Sequence, residues 1–220
     1  MKQRSLQPFN LIQNQRLKKF GSTKSKNSMY SQLRQYVSQL APLTSNELAF
    51  LEEQCVYREV PKKFALISEG EVAKEIYFIN KGCIRLFYPK EGEEVTAFIF
   101  LENLFATSLE SLLQQAPSQQ SLETLEDSEL LVISHENLTE VYAYSTNFQM
   151  MGRRIAEQRF INAQRILSSH ILDSPEERYE KLLTTQPEWF QRVPQHYIAS
   201  FLGITPVSLS RIRKRISSYK

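Results

Sequence analysis

The chain has 220 residues, 41% of them apolar and 23% charged, with a formal net charge of +3, a length that suits one well-filled core plus a smaller unit. No apolar run approaches the roughly 18 residues of a membrane span and no secretory signal stands near the start, so a soluble, cytoplasmic protein without a membrane partner is expected. Cys55 and Cys83 are far apart and have no neighbouring histidines, which argues against a metal site or a disulfide framework and for two buried, reduced thiols.

Charge is unevenly spread. Residues 1–46 hold eight Lys or Arg and no acid, residues 47–190 hold thirteen against twenty-four acids, and residues 191–220 hold six and no acid. Basic ends around an acidic middle place polyanion contact at the termini, because neutralising phosphates releases counterions. Residues 1–28 mix scattered apolar side chains with Gly, Ser, Thr and Lys and read as a basic, flexible extension, with Met29 a candidate native start and a DNA-gripping arm the competing reading.

From Tyr30 to Glu53, Leu33, Tyr36, Val37 and Leu40, then Leu43, Leu48 and Leu51, recur at helical spacing, and Thr44 to Glu47 forms a capping box. The period then changes. Residues 57–100 carry short β-branched and aromatic runs, FALI (64–67), IYFI (76–79), CIRLFY (83–88) and VTAFIF (95–100), with turns at Asn80-Lys81-Gly82 and Lys90-Glu91-Gly92. A compact antiparallel barrel or sandwich follows from this pattern, with a helical or loop insertion over 105–115 and a further strand at 130–134.

Helical spacing resumes at His135. Phe148, Met151, Ile155, Asn162 and Ile166 approach a heptad over more than twenty residues, too long a stripe for a small domain to cover. A parallel helix from a second copy would bury it as a dimer seam, with Asn162 fixing register; packing against the chain's own barrel is the alternative. Ser174-Pro175-Glu176-Glu177 then opens another helix.

The stretch QHYIASFLGITPVSLSRIRK (195–214) fits a helix-turn-helix at seven positions: Ala199 where the helices cross, Gly203 at the turn, and Ile198, Leu202, Ile204, Leu209 and Ile212 in the small core. Thr205 is the expected N-cap of the second helix and Pro206 its first residue. An ordinary helical hairpin with a solvated basic surface is the competing reading, but the polar, cationic outer face suits DNA. Paired acids such as Glu93-Glu94 and Glu176-Glu177 lie at a turn and a helix start, and no nucleophile–base set stands out, so no enzyme is expected.

A β-roll carrying EG (69–70) and IYFINKGCIRLFY (76–88), then TLEDSELLVIS (124–134), EERY (176–179) and QRVPQHYIASFLGITPVSLSRIRK (191–214), resembles the cyclic-AMP receptor protein and fumarate–nitrate reduction regulator (Crp/Fnr) family of bacterial transcription factors over residues 30–216, especially its Bacteroidetes-type branch. The resemblance implies an α+β fold: a cyclic-nucleotide-binding-like, cupin-like double-stranded β-helix over 29–142, a dimerisation helix over 143–172, and a helix-turn-helix domain over 173–220 without a full wing. It implies a cytoplasmic homodimer on a near-palindromic double-stranded DNA site, with RNA polymerase as a further partner. Carried onto this sequence, Gln195 and His196 would touch phosphates, Ser208 and Arg211 would face base edges, Arg213 and Lys214 would hold backbone, and Thr205 and Ser210 complete the DNA-binding face. Pro206 and Val207 stand where relatives place base-reading Arg and Glu, so the operator should differ.

The effector end departs further. The family's phosphate cassette needs a Gly-Glu pair and an Arg, and here LFATSLESLL (104–113) and APSQQSLETL (116–125) supply neither. Only Thr107, Ser108, Ser118, Gln119 and Gln120 remain as donors, so tight cyclic-AMP binding is not expected. An iron–sulfur cluster needs more thiolates than two, and His135, His170 and His196 lack a haem context. No cofactor is therefore expected, and the effector is unknown. The alternative function is a small-molecule receptor with a vestigial DNA-binding end.

Overall fold

The computed structural model describes residues 26–217. The basic extension expected over 1–28 thus lies outside the described residues except at its last three positions, where the chain has already entered α1 (Lys26–Leu40). Leu33, Val37 and Leu40 follow one another at helical spacing and are buried, which fixes the face that α1 turns inward. α2 (Ser45–Glu53) starts on the expected box: Thr44 caps the Glu47 N–H, and the Glu47 carboxylate accepts from the Thr44 N–H at 2.7 Å.

Eight strands follow: β1 (Val56–Val60), β2 (Ala65–Ile67), β3 (Glu75–Lys81), β4 (Ile84–Lys90), β5 (Glu93–Phe100), β6 (Phe105–Ala106), β7 (Ser121–Thr124) and β8 (Ser128–Ser134), with α3 (Leu109–Gln114) between β6 and β7. They form two four-stranded antiparallel sheets, β1-β8-β3-β6 and β2-β7-β4-β5. Phe78, Ile79, Leu130 and Leu131 from the first sheet and Ile84 and Leu122 from the second are buried in one core, the arrangement their β-branched and aromatic character favours. β7 was not visible in the sequence. Its four residues lie in a polar segment, and cross-strand pairing with β4, Arg85 opposite Glu123 among others, holds them in the sheet.

After β8 the chain does not run on as one helix. Ser145 ends α4 (His135–Tyr144) in extended backbone and caps α5 (Thr146–Leu172) by accepting from the Phe148 N–H. Gly152 lets the two helices meet closely: a β-carbon there would fall against the Tyr142 ring. α6 (Pro175–Thr185), α7 (Trp189–Arg192), α8 (Gln195–Phe201) and α9 (Pro206–Ser217) complete the described residues. The architecture is α+β as expected: a β-roll of two antiparallel sheets, a long helix and a C-terminal helical unit. No described helix is long and apolar enough to cross a membrane.

Candidate functional site

The helix-turn-helix is built by its small residues. Ala199 is fully buried where α8 meets α9, and Gly203 takes φ of +67°, a left-handed turn that a β-carbon would strain. The Ile204 N–H donates to the Ala199 carbonyl at 3.0 Å, closing that turn. Ile198, Leu202, Leu209 and Ile212 fill the space between the helices, with Ile204 partly buried beside them. Thr205 accepts from the Ser208 N–H at 3.1 Å at the start of α9, satisfying a donor that the helix itself leaves open.

This core turns one face of α9 outward. Thr205, Ser210, Arg211 and Lys214 are exposed, Ser208 and Arg213 partly so, and Gln195 and His196 are exposed at the start of α8. Arg215 reaches back instead: its Nε donates to Glu176 of α6 at 2.8 Å. The DNA-binding candidates therefore share one end of the molecule, with α9 presenting a cationic surface about three turns long.

What sequence reasoning missed is how this unit is anchored. α8 lies on β5 of the roll, and Cys83, Ile99 and Leu125 of the roll share a core with Tyr179, Leu182, Trp189, Val193 and the helix-turn-helix aliphatics. At its edge Arg85 is completely buried, ion-paired to Glu94 and, at 2.8 Å, to Glu123. Its guanidinium lies 3.9 Å from the centre of the Phe87 ring and 3.6 Å from that of Tyr197 on α8, a double cation–π contact away from water. Burial raises the Glu123 carboxyl above its ordinary pKa against the pull of Arg85. Ser200 bridges the same elements, accepting from the Thr96 N–H at 2.9 Å and donating to the Glu94 carbonyl at 3.1 Å.

A second tie stands beside it. Arg192 donates to both oxygens of Glu102 at 2.8 Å and to Glu126 at 2.7 and 3.1 Å, and these bonds raise its pKa well above that of a free guanidinium. The signal in the sequence was an arginine inside the apolar run CIRLFY: a strand that is otherwise buried obliges such a residue to find acids and rings.

The cassette residues come together but satisfy one another. Thr107, buried, donates to the Glu75 carbonyl at 2.9 Å; the Ser118 hydroxyl lies 2.8 Å from that of Ser108 and 2.7 Å from the Gln120 carbonyl, and accepts from the Gln120 N–H at 3.0 Å. Gln119 stands apart, exposed. Among the described residues no Lys or Arg enters this network, so its hydroxyls are committed to one another and to backbone carbonyls and leave a phosphate without a counter-charge.

The expected seam divides. Phe148 and Met151 are buried in the chain's own core, Phe148 against Phe50 and Tyr144, and cannot serve a second copy. Ile155 and Ile166 are partly buried and Asn162 is exposed, all three lining the side of α5 that faces the roll and α8. Further apolar residues of α5 stand open: Phe160 is 63% exposed, Leu167 61% and Ile171 70%, with Leu167 at the border of the same cavity as Asn162 and Ile166. With Ala156 and Ala163 these recur every three or four residues along one face.

Cys55 and Cys83 are free and buried, and burial pushes each thiol up to about 12, so neither is a nucleophile at neutral pH. Among the described residues, no group of three or more His, Cys, Asp or Glu could hold a metal.

Residues 57–145, the segment that holds β2–β8 and α4, match the cyclic nucleotide-binding domain family. No match is found among curated proteins. Among solved structures, the chain is similar to CLP, described as a c-di-GMP responsive global regulator of Xanthomonas campestris, at 18% identity over 80% of this chain and 92% of that one, with a TM-score of 0.63. It is similar also to FixK2 of Bradyrhizobium japonicum (14% identity, 75% and 85% covered, TM-score 0.63) and to the catabolite activator protein of Thermus thermophilus (19%, 80% and 85%, TM-score 0.51). At such identities the likeness establishes a shared fold: β-roll, long helix and C-terminal helices in the same order.

Proposed function

We propose that the chain is a homodimeric, sequence-specific DNA-binding transcriptional regulator of the Crp/Fnr type and of the Bacteroidetes-type branch, with an effector end unsuited to cyclic AMP. The observation that carries this reading is the exposed cationic face of α9, held out by a core of Ala199, Leu202, Leu209 and Ile212 around a left-handed Gly203. Arg211 is exposed in the second turn of α9, where a guanidinium is suited to bidentate contact with a guanine edge. Arg213 and Lys214 hold phosphates beside it, and Gln195 and His196 hold them from α8.

Dimerisation uses the exposed face of α5. Ala156, Phe160, Ala163 and Leu167 follow 4-3-4 spacing, so a parallel copy packs large residues beside small ones. Two recognition helices then lie about 34 Å apart on one side of a duplex. RNA polymerase is the further partner such a regulator requires.

The test is selection of random duplexes on the purified chain. The expected product is a near-palindrome with half-sites one helical turn apart, and absence of any enriched sequence overturns the reading. Arg211→Ala should cost about 1–3 kcal/mol at one base position and relax specificity there, while Lys214→Ala weakens all sequences alike and flattens the salt dependence.

A further inference from the structure

The cassette has no counter-charge for an anion, yet another part of the molecule holds a cation without one. Arg159 of α5 is only partly exposed; its Nη1 donates to the Phe105 carbonyl at 3.2 Å and its guanidinium lies 5.2 Å from the centre of the Phe100 ring. Among the described residues it pairs with no carboxylate, and the Tyr36 phenol near it is kept neutral by burial, which raises its pKa. Withdrawal from water lowers its pKa, as expected for a charge that nothing offsets.

Arg159 lines a cavity of about 690 Å³ between the β4–β5 face of the roll and α5, within the size range of small-molecule sites. Its walls are apolar, with Leu86, Val95, Phe98, Phe100 and Ile155 among them. Thr96 also lies in that wall, beside Ser200, to whose hydroxyl its N–H donates at 2.9 Å. A guanidinium withdrawn from water in an apolar chamber with no carboxylate beside it is costly, and an anionic acceptor would relieve it. The far end of the chamber is formed by Ser200, Phe201 and Gly203 of the helix-turn-helix.

We propose that this cavity binds a small organic anion, an apolar body ending in a single carboxylate, with Arg159 as its counter-ion. A nucleotide, with its polar base and sugar, suits these walls poorly. Because the occupant touches roll, long helix and DNA-reading turn together, binding biases how α8 sits on β5. That consequence rests on the regulator reading, whereas the binding itself does not.

Calorimetry on the full chain with decanoate, decan-1-ol and cyclic AMP tests it without DNA. Decanoate should bind at least about tenfold more tightly than the uncharged alcohol, and cyclic AMP more weakly than decanoate. Arg159→Gln should bring decanoate down to the level of decanol and leave decanol unchanged, and Arg159→Lys should restore part of the difference. Equal affinity for acid and alcohol, no saturable binding of decanoate, or unchanged decanoate binding in Arg159→Gln overturns the site. Success here with no selected duplex would instead overturn the regulator reading alone.

Discussion

The two halves of α5 have the same amphipathic grammar and opposite fates. Near its start, Phe148 and Met151 are buried against α1, α2 and α4, with Phe148 about 6 Å from the Tyr144 ring. Past Gly152 the apolar residues Phe160, Leu167, Ile171 and Leu172 are exposed, although α5 runs unbroken to Leu172. One continuous helix thus serves two partners: the first half closes the chain's own core, and the second presents a face that the chain cannot cover. Hydrophobic spacing identifies an apolar face but not whose surface covers it.

Cutting a buried contact in the first half should cost the fold most. Phe148→Ala removes a fully buried ring and is expected to destabilise by about 3–5 kcal/mol, read as a lower denaturation midpoint at unchanged slope. A loss under about 1 kcal/mol would mean that this half of α5 is not core.

The next contrast is between the roll and the unit docked on it. Arg85→Met removes the clasp while keeping much of the volume; Glu94 is half exposed and can rehydrate, Glu123 less readily. A loss of about 1–3 kcal/mol is expected. Because Tyr197 loses its partner, protease sensitivity between α7 and α9 should rise more than sensitivity within the roll. Equal effects on both regions would argue that Arg85 supports the roll alone.

Acid should act on the join between α2 and α5. Glu47 is held down to about 2 from an ordinary 4.5, first by the Ser145 hydroxyl and then by the Thr44 N–H. A carboxylate with a depressed folded-state pKa contributes stability that is complete above about 4.5 and disappears as pH falls toward 2. Glu47→Gln should therefore flatten the acid limb of the denaturation midpoint between those values, at a cost near neutrality of about 1 kcal/mol for the lost cap partner.

These contrasts also mark what the sequence could convey. The roll and the helix-turn-helix were legible because their cues are local: β-branched runs between turns for the strands, and Ala199, Gly203 and the Thr205-Pro206 start for α9. The division of α5 was not, since Phe148 and Phe160 are alike in type and differ only in what lies opposite. The Arg85 clasp needs residues 85, 94, 123 and 197, which meet only through β4, β5, β7 and α8. Arg159 was equally silent, because its distinguishing property is a carboxylate that is not beside it. Thr107, Ser108, Ser118 and Gln120 stand out through their resemblance to a cassette, but which hydroxyl bonds which is a matter of packing.

On folding stability alone, the smallest effect belongs to the second half of α5. Leu167→Lys replaces a side chain that is 61% exposed and should change the unfolding free energy of one chain by no more than about 0.5 kcal/mol. Its effect on association should be large by comparison, since two lysines would face each other across a parallel seam with Phe160 and Ala163 beside them. Sedimentation should give a dimer for the parent chain and a monomer for the variant, and the dimer should return when Leu167→Lys is mixed with Leu167→Glu. If Leu167→Lys stays dimeric, the copies meet on another face, and the open half of α5 belongs to a different partner.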